Sequence, residues 1–416
     1  MNRAIVCFSF FLLLITSGHS QEWTRFRGPN GSGVGEISGL PNEFSPADYN
    51  WAVKLKGQGH SSPVLWGNKL FLTVADPEAK KREVICFDSN SGKVLWKWKA
   101  PHDGHNLHNF NNFASATPTV DGKHVYVVWG SGKKTEAVAL THKGELAWKK
   151  EWPSFTSDHG YGASPVLIGG KLVFHTDALD ESKSSVIGVN PDNGETVWTY
   201  ERQTPVPDET HKTAYNTPVS VRVGSKEMVV ALQTNDGWRG LNADTGKVEW
   251  SYDGGYKMRS VGSVIESDGY LFASFGSGGN GKNSTALRAN ATDKPEVLYS
   301  LGSKDGLGYV PTPIVYEGIL FLLSDGGVLT CRDVATGDKI GGTRIDTRQF
   351  FSSPVIGDGK LICASRDGQL YTVSTKKPFE VLGSSRLESG VNSTPAIANN
   401  CLFVRSDTHL FSVKGK

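Results

Sequence analysis

Asn50-Trp51-Ala52-Val53-Lys54-Leu55 reads as a β-strand that finishes a structural unit whose first three strands do not precede it. Trp51 stands 45 residues before Trp96, and strands bearing the same aromatic recur at Val94-Leu95-Trp96, Leu146-Ala147-Trp148, Val197-Trp198 and Val248-Glu249-Trp250. The complement lies at the other end of the chain. Pro395-Ala396-Ile397, Leu402-Phe403-Val404 and Leu410-Phe411-Ser412-Val413 are three strands that lack a fourth. Three plus one makes a complete four-stranded sheet, so the ends are expected to pair and remove the open edges of the array.

Working outward from that strand, a second marker sets the count. A Ser/Thr-Pro pair at a strand start appears as Ser62-Pro63, Thr117-Pro118, Ser164-Pro165 and Thr217-Pro218. It weakens to Ser263-Val264 and returns as Thr312-Pro313, Ser353-Pro354 and Thr394-Pro395, at spacings of 55, 47, 53, 46, 49, 41 and 41 residues. Proline has no N–H and belongs at the first residue of a strand or on an edge. Turn chemistry follows each marker, as in Asp121-Gly122 and Gly169-Gly170. A third strand, another turn and the aromatic strand complete the unit. The aromatic fades to Tyr299 in the fifth copy and is lost in the last two. A large ring at a fixed position fills the wedge between neighbouring sheets, burying roughly 150–250 Å². No stretch of ten residues keeps a helical period. The expected fold is therefore all-β: an eight-bladed β-propeller of four-stranded antiparallel blades, the last closed 3+1 by the N-terminal strand. Complementary ends argue against an open solenoid, and the repeat preserved around Ser263 argues against seven blades.

Arg3 followed by the apolar run Ala4 to Ile15 and the small polar stretch Thr16 to Ser20 reads as a secretory signal peptide. The run is well short of the ~20 residues that cross a bilayer. The expected organisation is a signal peptide at 1–20, an N-terminal extension at 21–43 and one propeller domain at 44–416. Export places the protein in the periplasm or outside the cell, with no transmembrane segment. Cys7 lies too early to become a lipid-anchor cysteine. Cys86, Cys331, Cys363 and Cys401 sit in apolar strand patterns and read as buried thiols, with a Cys363–Cys401 bridge left open. Lys and Arg number 44 against 42 Asp and Glu, a net charge of +2 that does not suit a nucleic-acid binder.

Asn190-Pro-Asp-Asn-Gly-Glu-Thr-Val-Trp198, Leu241-Asn-Ala-Asp-Thr-Gly-Lys-Val-Glu-Trp250 and the shorter Asp333-Val-Ala-Thr-Gly337 resemble the repeat of the pyrroloquinoline-quinone (PQQ) propellers. The likeness covers about residues 50–413, and the opening Trp23-Thr-Arg-Phe-Arg-Gly-Pro-Asn30 is similar to that of many exported members of uncertain role. Among the branches, the chain most resembles the exported PQQ-like propellers related to the outer-membrane assembly lipoprotein BamB. That likeness implies a propeller with a binding or scaffold role in envelope-protein assembly and no cofactor. The alternative within the family is an alcohol or sugar dehydrogenase using PQQ and calcium. Its quinone needs several cations, a calcium site of oxygen ligands and an Asp base. This sequence has no adjacent cysteine pair and no Cys-x-x-Cys-His.

Candidate site residues lie in the connectors. Pro101 to Asn109 carries His102, Asp103, His105 and His108, a weak metal-ligating candidate because no helix enforces convergence. The long connectors around 100–113, 152–163 and 202–216 make one rim the expected contact surface, with Trp152, Phe155, His159, Tyr161, His211 and Tyr215 as contacts for a protein, peptide or glycan. Trp238 and Arg239, between two strands, either line a groove or pack on the next blade. Gly276 to Gly281 lacks the Lys-Ser/Thr and following helix of a phosphate loop. No nucleophile–base–orienter set is identifiable, and the chain is expected to act as a monomer.

Overall fold

A computed structural model describes residues 22–153, 157, 159–177, 184–202, 213–233, 236–256, 258–277, 282–290 and 294–416. Among the described residues thirty-two strands form eight sheets of four, each antiparallel and in sequence order except the last. Blades 1 to 7 begin at Val64, Thr119, Val166, Val219, Ile265, Ile314 and Val355. Blade 8 takes Ala396–Ala398, Cys401–Arg405 and His409–Lys414 and is completed by Tyr49–Lys54, which pairs with His409–Lys414. The 3+1 closure expected from the orphan strand is present. Among the described residues no helix is long and apolar enough to cross a membrane.

The Ser/Thr marker proves to be a hydrogen-bonding device. The Ser62 amide donates to Thr117 Oγ1 at 2.9 Å, the Thr117 amide to Ser164 Oγ at 3.0 Å and the Ser164 amide to Thr217 Oγ1 at 3.4 Å. The relay continues from Thr217 through Ser263, Thr312 and Ser353 to Thr394 at 2.9–3.2 Å. Seven junctions are thus bridged around the axis by one bond each. The degenerate marker keeps its serine because the hydroxyl, and not the proline, makes this contact. At the eighth junction Ser62 Oγ is buried without a partner. There Arg405, 2 % exposed, crosses instead and donates to Ser61 O at 3.0 Å and Thr73 O at 2.9 Å.

The outer repeat has an equally local cause. Asn190 and Asn242 accept amides of their own turns, and Gly194 and Gly246 donate back to their carbonyls at 2.8 Å. Gly246 has φ +68°, and the Trp198 ring of the preceding blade lies flat where a Cβ would stand. The same indole donates to Ala243 O at 3.0 Å, as Trp51 does to Ser89 O, Trp96 to His142 O and Trp148 to Pro191 O. Each ring therefore staples its blade to the next turn. Blades 6 and 7 carry glycine at the aromatic position, Gly341 opposite Cys331 and Gly383 opposite Thr372. Phe379, reaching back from blade 7, fills the space over Gly341, and Asn42 and Glu43 cover Gly383.

Those last residues belong to a segment, 22–44, that crosses one face of the ring. Trp23 O accepts from Leu65 N and Thr24 O from Val120 N, on blades 1 and 2. Arg25 then reaches Pro218 O on blade 4 at 2.8 Å, and Arg27 reaches Thr312 O and Pro313 O on blade 6 at 2.9 Å each. The segment continues through Gly33 and Gly35, bonded to Ile356 on blade 7, and past Asn400 on blade 8. Burial pulls both arginines down to about 9, and carbonyl dipoles solvate them. All four cysteines outside residues 1–21 are buried free thiols, so Cys363 and Cys401 are not bridged. Residues 1–21, including Cys7 and the signal-peptide reading, lie outside the described residues.

Candidate binding cavity at the mouth of the ring

Along the axis lies a cavity of about 800 Å³, walled by the segments that lead into the first strand of each blade. Toward one end it is lined by Phe26 of the crossing segment. The other end opens among the connectors that lead from each blade to the next. The marker hydroxyls face this space. So does the residue two positions before each of the eight markers: His60, Ser115, Gly162, Tyr215, Val261, Val310, Phe351 and Asn392. Strand-like alternation points both positions at the axis. One holds a constant hydroxyl that joins the blades, and the other varies freely and gives the cavity its chemistry.

The first connector folds over the opening. His102 packs on Phe113 at 4.3 Å and His105 meets the same ring edge-on at 4.9 Å. His108 turns away and stacks on His159 at 4.8 Å, while Asp103 is tied by its amide to Ser131 at 3.1 Å. His102 and His105 thus share Phe113, while His108 is drawn away to His159. Among the described residues no group of three His, Cys, Asp or Glu could hold a metal ion. Burial, followed by Arg82, pulls His105 down to about 4 and lowers His102 in the same direction.

Beyond His108, Phe110 is 50 % exposed and reaches Phe351 across the opening at 5.6 Å. The Arg366 guanidinium lies between the two rings, 4.1 Å from Phe110 and 4.3 Å from Phe351. It also donates to Asn392 Oδ1 at 3.2 Å and Gln349 Oε1 at 2.9 Å. On the far wall Asp325 accepts from Tyr309 N at 2.7 Å, Val310 N at 2.9 Å and Lys282 Nζ at 2.7 Å. His60 is brought down to about 3 by burial, then by Arg405 and Arg366, and is neutral at physiological pH.

Of the expected contacts, His159 and Tyr215 line the cavity together, at 5.9 Å. Trp152 packs between blades against Phe174 and donates to Thr196. Tyr161 is buried, its hydroxyl on His175 O, and Phe155 and His211 lie outside the described residues. Trp238 is 0 % exposed, and Arg239 is held by Tyr200, Asp236 and Asp253. Of the two readings open for that pair, the structure places both in blade packing. Phe110, Phe351, Arg366 and Asn392 were not singled out from sequence. The signal that finds Phe351 and Asn392 is positional: two residues before a marker. Phe110 and Arg366 carry no such signal.

Residues 48–207 match the family model described as outer membrane protein assembly factor BamB. The assembly factor BamB of Yersinia pestis is 24 % identical over 387 residues, covering 89 % of this chain and 90 % of the relative. Among solved structures, BamB from Moraxella catarrhalis aligns with a TM-score of 0.62 at 15 % identity, over 87 % of this chain and 98 % of that one. A europium-containing methanol dehydrogenase aligns with a TM-score of 0.73 at 12 % identity, over 92 % of this chain and 89 % of its own. Both solved structures speak to the fold alone. The described donors do not fit a quinone with its calcium. Asp325 is the one carboxylate among the described lining residues, and its oxygens are taken up by Lys282 and two amides.

Proposed function

We infer, from the premise that the chain is a PQQ-type, BamB-like eight-bladed propeller related to the outer-membrane assembly factor, that it is an exported, non-catalytic scaffold that binds another protein. The carrying observation is the inequality of the two faces. The crossing segment runs over one, while the cavity, the connectors and the half-exposed Phe110 gather at the other. A rigid ring presenting variable connectors suits recognition by several small contacts. An N-terminal signal at 1–20, an extension from 21 and a propeller to 416 complete the reading, with the periplasm as the compartment.

Site-specific photo-crosslinking in cells making the exported protein tests the face. A crosslinker at Phe110 is expected to give a discrete adduct with one envelope protein, and one at Val94, on the outer edge of blade 1, none. Equal adducts from both positions, or none from Phe110, would overturn the assignment. Titration with PQQ and calcium tests the dehydrogenase alternative, and tight binding with a shifted quinone spectrum would displace the scaffold reading.

A further inference from the structure

The walls of the axial cavity point to a ligand distinct from a docked protein. Of the charged groups on its wall, Asp325 is engaged by Lys282 and two amides, and Arg259 donates to the Tyr309 hydroxyl at 3.4 Å; at the mouth Arg366 is held by Asn392, Gln349 and two aromatic rings. His60 is neutral. Apart from these groups and the histidines, what faces the space is uncharged. Seven marker hydroxyls each accept a neighbour's amide through oxygen, which leaves their O–H groups available to an acceptor in the cavity. Tyr215, Phe351 and Phe110 line the opening, the last two each with Arg366 over one face, and Phe26 adds a further ring. A purely apolar ligand would bury hydroxyls with nothing to bond, at about 1–3 kcal/mol for each group stripped of water.

We propose that the axial cavity binds a short saccharide. Sugar rings carry apolar C–H faces, which stack on aromatic side chains, and a periphery of hydroxyls that both donate and accept. The cavity offers both surfaces in the same order, rings at the mouth and hydroxyls around the wall. Its volume of about 800 Å³ falls within the roughly 300–1,000 Å³ of ordinary small-ligand sites. Tyr215 and Phe351 are the specificity-determining positions, because they occupy the variable place two residues before their markers.

Isothermal titration of the mature chain with maltotriose, cellotriose and triacetylchitotriose is the test, with the acidic tripeptide Asp-Ala-Asp as the charged arm. At least one trisaccharide is expected to bind with a dissociation constant of about 1 mM or tighter, and the tripeptide not at all. Phe351→Ala should weaken that binding at least about tenfold, and Phe351→Tyr, which keeps the ring, should retain it. The thermal midpoint of each variant reports whether it remains folded, and Tyr215→Ala provides a second reading if Phe351→Ala unfolds. Three silent trisaccharides, binding that survives both alanines, or a preference for the tripeptide would each overturn the proposal. Crosslinking from Phe110 to an envelope protein is unaffected by these outcomes, so the scaffold reading stands or falls separately.

Discussion

At the scale of single residues, the repeat is a set of short-range necessities. Gly246 must adopt φ +68° and must lack a side chain, because the Trp198 ring occupies that space. Gly246→Ala is expected to cost about 2 kcal/mol or more, from the left-handed backbone and the displaced indole, read as a lowered urea midpoint. Trp198→Phe keeps most of the buried area but loses the bond to Ala243 O, and should cost about 1 kcal/mol. Titration supplies a different signature. His175 is fully buried and lowered to about 3 from 6.5, by burial first and by Arg202 second. Its unfolded form therefore binds the proton more readily, and stability is lost as the pH falls below 6.5 toward 3. The loss is about 2 kcal/mol at pH 5. In denaturant melts, His175→Gln is expected to flatten this part of the pH profile. An unchanged slope would place the acid sensitivity elsewhere, His60 being the next group.

At the scale of elements, the sequence was most informative where one residue has one neighbour. The Ser/Thr marker and the turn of the quinone-type repeat recur along the chain, and the orphan Trp51 strand complements its other end, so all were readable. Residues 22–44 were not readable in the same way. Their partners lie on blades 1, 2, 4, 5, 6, 7 and 8, up to 377 positions away, and no periodicity announces a segment that visits each blade differently. The loss of the aromatic in the last two full blades is explained only here, since Phe379 and the segment 42–43 fill the vacated wedges. The variable positions before the markers escaped notice because a repeat is recognised by what stays constant. Arg27→Met tests the crossing segment. It retains much of the volume but strips carbonyls of Thr312 and Pro313 of their donor, and should destabilise by roughly 1–3 kcal/mol in the same melts.

For the whole molecule, stability rests on closure. Removing residues 407–416 deletes the strand that joins Tyr49–Lys54 to Cys401–Arg405 and exposes strand edges on both sides of the gap. The truncated chain is expected to self-associate in light scattering and to lose a single cooperative transition. Retention of a monomer with an unchanged midpoint would show that seven blades and the crossing segment suffice.

The hydroxyl relay, bridged at seven junctions and interrupted at the eighth, also has a direction in time. Its seven bonds join residues 41 to 55 positions apart, so each can form soon after its own blade is synthesised. The seam joins Arg405 to Ser61, 344 positions away, and Tyr49–Lys54 to the last strand made. Loop closure over such a span is the slow step of a chain rich in otherwise near-neighbour contacts. During export, Tyr49–Lys54 emerges first and waits as an unpaired strand until the final residues arrive. For that interval the nascent protein is an open arc with two adhesive ends, and it is then that a chaperone has something to hold.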